Sequence, residues 1–155
     1  MRTRILKLTQ FSAALVVSLI AAISASAQGS WVPFKINTGG ADLNTVYFLD
    51  SKRGWVGGDG GFLSHTEDGG QTWVPQKVVT KAGINDIYFR DKEAGFLLAG
   101  NSIFVTRDGA SWTQSRIFMP AEFEGADVEL YSVRFASKKK GWDVGSISKK
   151  ERVVD

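Results

Sequence analysis

The side chains of this 155-residue chain that could carry chemistry are a few carboxylates, three tyrosines, one histidine and a scattering of arginines. Glu67 and Asp68 adjoin in TEDGGQTW, residues 66–73, and Asp108 recurs in TRDGASW, residues 106–112. Two carboxylates at a set separation can hydrolyse a glycosidic bond, and oxygen ligands at alternating positions can hold calcium. The first stretch has an acidic pair without the alternation of a calcium loop. His65 is the single histidine, which leaves no second histidine for a metal site or a charge relay. The absence of cysteine removes disulfides and thiolate metal sites. No Gly-x-x-x-x-Gly-Lys-Ser/Thr loop is present. The Gly-rich GGDGG at 57–61 is not followed by a helical pattern and reads as a tight strand connection. These residues lead to the expectation of no catalytic group, no metal and no cofactor.

What must position these groups is a repeat. One unit runs over residues 44–73, a second over 85–112, and a third begins at YSVRFASKKKGWDVGSIS and takes in residues 131–155. Gly54 and Gly95 are 41 residues apart, Asp68 and Asp108 are 40 apart, and Trp73 and Trp112 are 39 apart. Gly141 follows Gly95 by 46, and the extra length falls in FMPAEFEGADVEL, which reads as a longer surface loop. Each unit opens on a β-rich run, Val46-Tyr47-Phe48 or Ile87-Tyr88-Phe89. A polar turn follows, and Gly54 and Gly95 are expected to close it with the positive φ that glycine adopts most cheaply, Gly141 being the repeat glycine of the third unit. Trp55 and Phe96 then start a second strand, and Trp142 is the repeat aromatic of the third unit. A third strand leads into the Asp-Gly turn, and Trp73 or Trp112 opens a fourth. All three tyrosines fall in the first strand region of their units, which reads as packing. Four short strands per repeat, without helical periodicity after residue 30, predict an all-β chain of propeller blades, each of four antiparallel strands, with about three blades present.

The turn itself has a physical reading. Asp68 and Asp108 can accept hydrogen bonds from backbone N–H groups just ahead of them. Gly69, Gly70 and Gly109 supply backbone angles that other residues resist. Thr66, Thr72 and Thr106 can bond across the turn, and Trp73 and Trp112 fold a large ring back on the sheet. The set Thr66, Asp68, Gly69, Gly70, Thr72, Trp73, Thr106, Asp108, Gly109 and Trp112 is therefore expected to be structural.

TEDGGQTW resembles the Asp-box of sialidase-type bacterial neuraminidase repeats. The wider unit, with Gly-Trp after a polar turn, a Gly-rich step and then the Asp-box, is more similar to the photosystem II stability and assembly factor family over about residues 31–148. The resemblance implies a non-catalytic propeller in the thylakoid lumen or periplasm, with a membrane-protein or other extracytoplasmic partner. That family uses arginines on one propeller face for its partner, and Arg53, Arg90 and Arg134 are not matched to that patch. The alternative reading is a sialidase-like glycoside hydrolase or a fragment of one. That reading requires an arginine cluster, a tyrosine nucleophile with a glutamate partner, and an aspartic acid in one place.

Residues 1–27 have the layout of a secretory signal: Arg2, Arg4 and Lys7, an apolar stretch from Phe11 to Ile23, then Ala25-Ser26-Ala27. The chain carries 19 Lys and Arg against 16 Asp and Glu. Three of those bases lie in the signal, so residues 28–155 are formally neutral and nucleic acid is not an expected partner. Lys138-Lys139-Lys140 reads as a solvated turn. The mature chain is expected in the periplasm, the thylakoid lumen or the medium. Propellers usually close with about four to eight blades. Three blades lead to the expectation of a truncated propeller, or of self-association that completes a ring.

Overall fold

A computed structural model describes residues 32–117 and 126–149. The expected signal, residues 1–27, and residues 150–155 lie outside the described residues. The chain divides into two units, residues 1–35 and 36–155, and every strand lies in the second. Strands β1 (Leu43–Phe48), β2 (Gly54–Gly58), β3 (Leu63–Thr66) and β4 (Val74–Pro75) form one antiparallel sheet in sequential order. Strands β5 (Ile84–Asp91), β6 (Ala94–Ala99), β7 (Ser102–Thr106) and β8 (Thr113–Ile117) form a second sheet of the same order. Strands β9 (Ala126–Ser137) and β10 (Lys140–Lys149) form an antiparallel hairpin. The described residues are all-β apart from a short 3-10 turn at Asp59–Gly61.

The three first hairpins are built alike. Asp50 Oδ1 accepts from the N–H groups of Lys52 (2.9 Å) and Arg53 (2.8 Å), which closes the β1–β2 turn. Asp91 Oδ1 accepts from the Glu93 N–H at 3.0 Å, and Ser137 Oγ from the Lys139 N–H at 3.3 Å, at the matching places. These are local side-chain turns of the kind Asp and Ser favour.

Gly54 and Gly95 do not have the positive φ expected of them, and neither does Gly141, their counterpart in the third unit. Each sits within a strand pairing, opposite Phe48, Phe89 and Phe135 respectively. The partner ring lies across the glycine. An added Cβ would meet the Phe48 ring at 2.7 Å, the Phe89 ring at 2.7 Å and the Phe135 ring at 2.6 Å. The glycine is required by close approach of an aromatic side chain, not by backbone conformation. Positive φ falls instead at the other end of the hairpins and in the aspartate turns, at Gly60, Gly61, Gly69, Gly70, Gly100 and Gly109.

A second correction concerns the extra length before the third unit. Ala126–Leu130, expected in a loop, is the first part of β9. Ala126 and Leu130 are buried and Val128 packs against the core, while Asp127 and Glu129 are exposed. That is the period-2 alternation of a half-buried strand. Residues 118–125 lie outside the described residues.

The sheets stack face to face. Trp55 and Leu63 of the first sheet pack with Ile84, Ile87, Phe89, Leu97, Phe104 and Trp112 of the second. On the opposite face of the second sheet, Tyr88, Phe96, Leu98 and Ile103 pack with Leu130, Val133 and Phe135 of the hairpin. Along β6, Phe96 and Leu98 face the hairpin while Leu97 and Ala99 face the first sheet. The middle sheet is therefore buried on both sides.

Candidate functional site

Asp68 and Asp108, two of the carboxylates that could have done chemistry, are engaged in their own turns. Asp68 Oδ1 accepts from Thr66 Oγ1 at 2.8 Å and from the Thr72 N–H at 2.9 Å, and Oδ2 accepts from Thr72 Oγ1 at 2.6 Å. The Gly70 N–H donates to Thr66 Oγ1 at 2.9 Å. Trp73 Nε1–H donates to the Gly70 carbonyl at 3.0 Å, and its ring meets Phe48 edge-on with centroids 6.1 Å apart. In the second turn Asp108 Oδ1 accepts from Thr106 Oγ1 (2.9 Å) and from the N–H groups of Ala110 (2.9 Å) and Ser111 (2.8 Å). The Gly109 N–H donates to Thr106 Oγ1 at 2.9 Å. Bonds from Thr72, side chain first, hold the Asp68 carboxyl down at about 2. The Ser111 and Ala110 amides hold Asp108 below the ordinary carboxylate range. A carboxylate so stabilised in its ionised form is a poor proton donor near neutrality.

The second turn also reaches its neighbour. Trp55 Nε1–H donates to the Gly109 carbonyl at 2.9 Å, and Gln76 Nε2–H donates to the same oxygen at 2.9 Å. Trp112 Nε1–H donates to Gln76 Oε1 at 3.3 Å. A Cβ on Gly109 would meet the Trp55 ring at 2.6 Å. The turn of the second sheet is thus seated on the tryptophan of the first. Gln76 gave no signal in the sequence, because it lies after the repeated string.

The tyrosines do not share one environment. Tyr47 and Tyr88 occupy equivalent positions and meet edge-on, with centroids 5.9 Å apart. Tyr47 donates its hydroxyl proton to the Phe89 carbonyl at 3.0 Å, and burial raises its pKa. Tyr131 lies three residues before that position in its strand and is exposed, 2.7 Å from Ser146 Oγ. The position of Tyr47 and Tyr88 is taken in β9 by Arg134, whose guanidinium lies 5.3 Å from the Tyr88 ring centroid. Arg134 Nη1 donates to Asp86 Oδ2 at 2.5 Å, and that same oxygen accepts from the Val133 N–H at 2.8 Å and Ser132 Oγ at 3.2 Å. Asp86 is buried. An acidic residue at an inward position of β5 was the sequence signal for this pair, since a buried charge demands a partner. His65 Nδ1 lies 3.2 Å from the Val74 carbonyl, within the β3–β4 pairing. Among the described residues no group of three or more His, Cys, Asp and Glu side chains is placed to hold a metal.

An open cleft of about 970 Å³ lies beside the β5–β6 turn and the β9–β10 turn. Arg90, Lys92, Arg107 and Lys138 line it with Asp91 and Glu93, over a floor that includes Gly95 and Phe96. Arg90 Nη1 donates to the Lys138 carbonyl at 2.9 Å and its guanidinium lies 5.7 Å from the Phe135 ring centroid. Arg90 Nε donates to Asp91 Oδ2 at 3.1 Å. Four basic groups meet two acidic ones here, although the chain after residue 27 is formally neutral.

No family model matches the chain. It is similar to a curated relative, the chloroplastic photosystem II stability/assembly factor HCF136 of Cyanidioschyzon merolae, at 33% identity over 70 residues. That match takes in 44% of this chain and 16% of the relative. Among solved structures, YCF48 bound to D1 peptide aligns with a TM-score of 0.62 at 23% identity, over 78% of this chain and 40% of the other. YCF48 from Cyanidioschyzon merolae aligns with a TM-score of 0.59 at 19% identity, over 76% and 41%. The chain thus spans about two fifths of the length of these structural neighbours. The resemblance to the photosystem II stability and assembly factors holds, and the four-stranded sheets are blades of a propeller-type fold.

Proposed function

We propose that this chain is a non-catalytic binding module of the photosystem II assembly kind. It acts outside the cytoplasm and holds an extended, carboxylate-bearing segment of a membrane-protein partner. The observation that carries this reading is the open cleft, where Arg90, Lys92, Arg107 and Lys138 outnumber Asp91 and Glu93. Its shape is open rather than enclosed, which suits a peptide better than a small molecule. Charge complementarity there steers and orients a partner more than it adds affinity. The relative's printed role in photosystem II stability and assembly supports the partner class, and the neighbour's D1 peptide supports the form of the ligand. The engagement of Asp68 and Asp108 in their own turns supports the absence of hydrolysis. The aspartate turns, on this reading, are scaffold.

Fluorescence anisotropy with a labelled D1 peptide tests the proposal. Saturable binding is expected, weakening with salt as exposed charge pairs are screened. A double charge reversal, Lys92→Glu with Arg107→Glu, is expected to weaken it by about tenfold, or about 1.4 kcal/mol. No binding, or equal binding by the reversed variant, would contradict the reading.

A further inference from the structure

The two inter-sheet contacts use the same residues of the repeat. Ile84, Ile87 and Phe89 of β5 are buried against the first sheet. Leu130, Val133 and Phe135 of β9 occupy the same three positions and are packed against the second sheet. The 3-then-2 spacing of each triad follows from a register shift at the same place in each first strand. The first sheet has the same triad, Leu43, Val46 and Phe48, and there it is exposed, at 44%, 61% and 43%.

The opposite kind of face is open on the hairpin. Phe96 and Leu98 of β6 receive the β9 triad. Trp142 and Val144 hold the equivalent positions in β10, and they are 54% and 60% exposed. The turn contact repeats the pattern. Trp55 seats Gly109, which is buried and has φ 71°. Gly69 is the equivalent glycine, with φ 76°, and it is exposed. Phe96 lacks the indole N–H of Trp55, and Trp142 restores it.

We propose that the hairpin face of one copy of this chain docks on the first-sheet face of a second copy, head to tail. Leu43, Val46 and Phe48 of the second copy then cover Trp142 and Val144 of the first. Trp142 Nε1–H donates to the Gly69 carbonyl of that second copy, as Trp55 does to Gly109 within the chain. The occupant is a second copy because these two faces are, position for position, the pair that the chain already buries against each other twice. The contact is heterologous, so it propagates until a ring closes or a chain of copies forms.

Light scattering of the whole chain over a hundredfold concentration range tests this, with Val46→Asp and Trp142→Asp each blocking one face. The wild type is expected to associate as concentration rises. Each variant alone is expected to stay monomeric, and their mixture to form a one-to-one dimer, because each retains the face the other lacks. Circular dichroism checks the fold, and Val144→Ser replaces Trp142→Asp if that variant unfolds. A wild-type monomer throughout, association unaffected by the variants, or no dimer in the mixture would overturn the proposal.

Discussion

The junction between the first and second sheets and the junction between the second sheet and the hairpin are made from the same repeat positions, yet they are held differently. In the first, Trp55 stacks on Phe89 with centroids 4.2 Å apart and donates to the Gly109 carbonyl. Phe89 in turn meets Trp112 edge-on at 6.0 Å, so the contact is a continuous aromatic layer. In the second, Phe96 stands where Trp55 does and Arg134 where Tyr88 does. The layer is still aromatic, with Phe96 and Phe135 centroids 4.4 Å apart, but it is rimmed by the Asp86–Arg134 pair and by Arg90 over Phe135. Asn85 Nδ2 adds bonds to Glu129 Oε1 at 3.1 Å and the Leu130 carbonyl at 2.9 Å. One grammar of backbone thus supports an apolar junction and a polar one. The difference lies in three or four substituted side chains.

The largest expected effect breaks the apolar junction. Trp55→Ala removes a buried ring that touches two sheets, and is expected to cost about 3–5 kcal/mol, as large-to-small core changes do. Denaturant titration measures it, and a loss under about 1 kcal/mol would contradict the role given to that layer.

Asp86→Ala is expected to cost less, about 1–3 kcal/mol, chiefly by leaving the Val133 N–H without its acceptor. Arg134 is 60% exposed and can return to water, so its own share is small. The same titration reads this change, and a value equal to that of Trp55→Ala would erase the contrast between the junctions.

The smallest effect concerns the turns that both sheets share. Asp68 is held at about 2 and Asp108 is also lowered, both below the unfolded value of about 4. A depressed folded value stabilises the fold above the unfolded pKa, and that stability is lost as pH falls through the folded one. The thermal midpoint is expected to be insensitive to these groups above about pH 4 and to fall as the pH drops toward 2. Asp68→Asn and Asp108→Asn together should flatten that limb, and an unchanged acid limb would contradict the turn assignment.

The blades were legible in the sequence because their signals are local and repeated. Alternating β-rich runs, polar turns and Asp-Gly strings each fall within a few residues, and two four-stranded sheets follow from them. The glycines of the Gly-Trp step were located but given the wrong cause. Their reason is a phenylalanine across the strand pair, and that registry is not visible in a linear string. Ala126–Leu130 reads as loop because it falls in the extra length before the third unit, and its short alternation is not part of the repeated string. The cleft was not legible at all. Arg90, Arg107 and Lys138 come from three separate turns or strand ends, and only the stacking of the second sheet with the hairpin brings them together.

The contrast between the junctions can be tested at a single amide. Hydrogen exchange at the Val133 N–H, followed in the wild type and in Asp86→Ala, reads the polar junction without disturbing the apolar one. The account predicts that Val133 loses protection by tenfold or more (about 1.4 kcal/mol) beyond any loss at the amides of Trp55 and Val56. Unchanged protection at Val133, or an equal loss at Trp55 and Val56, would contradict it.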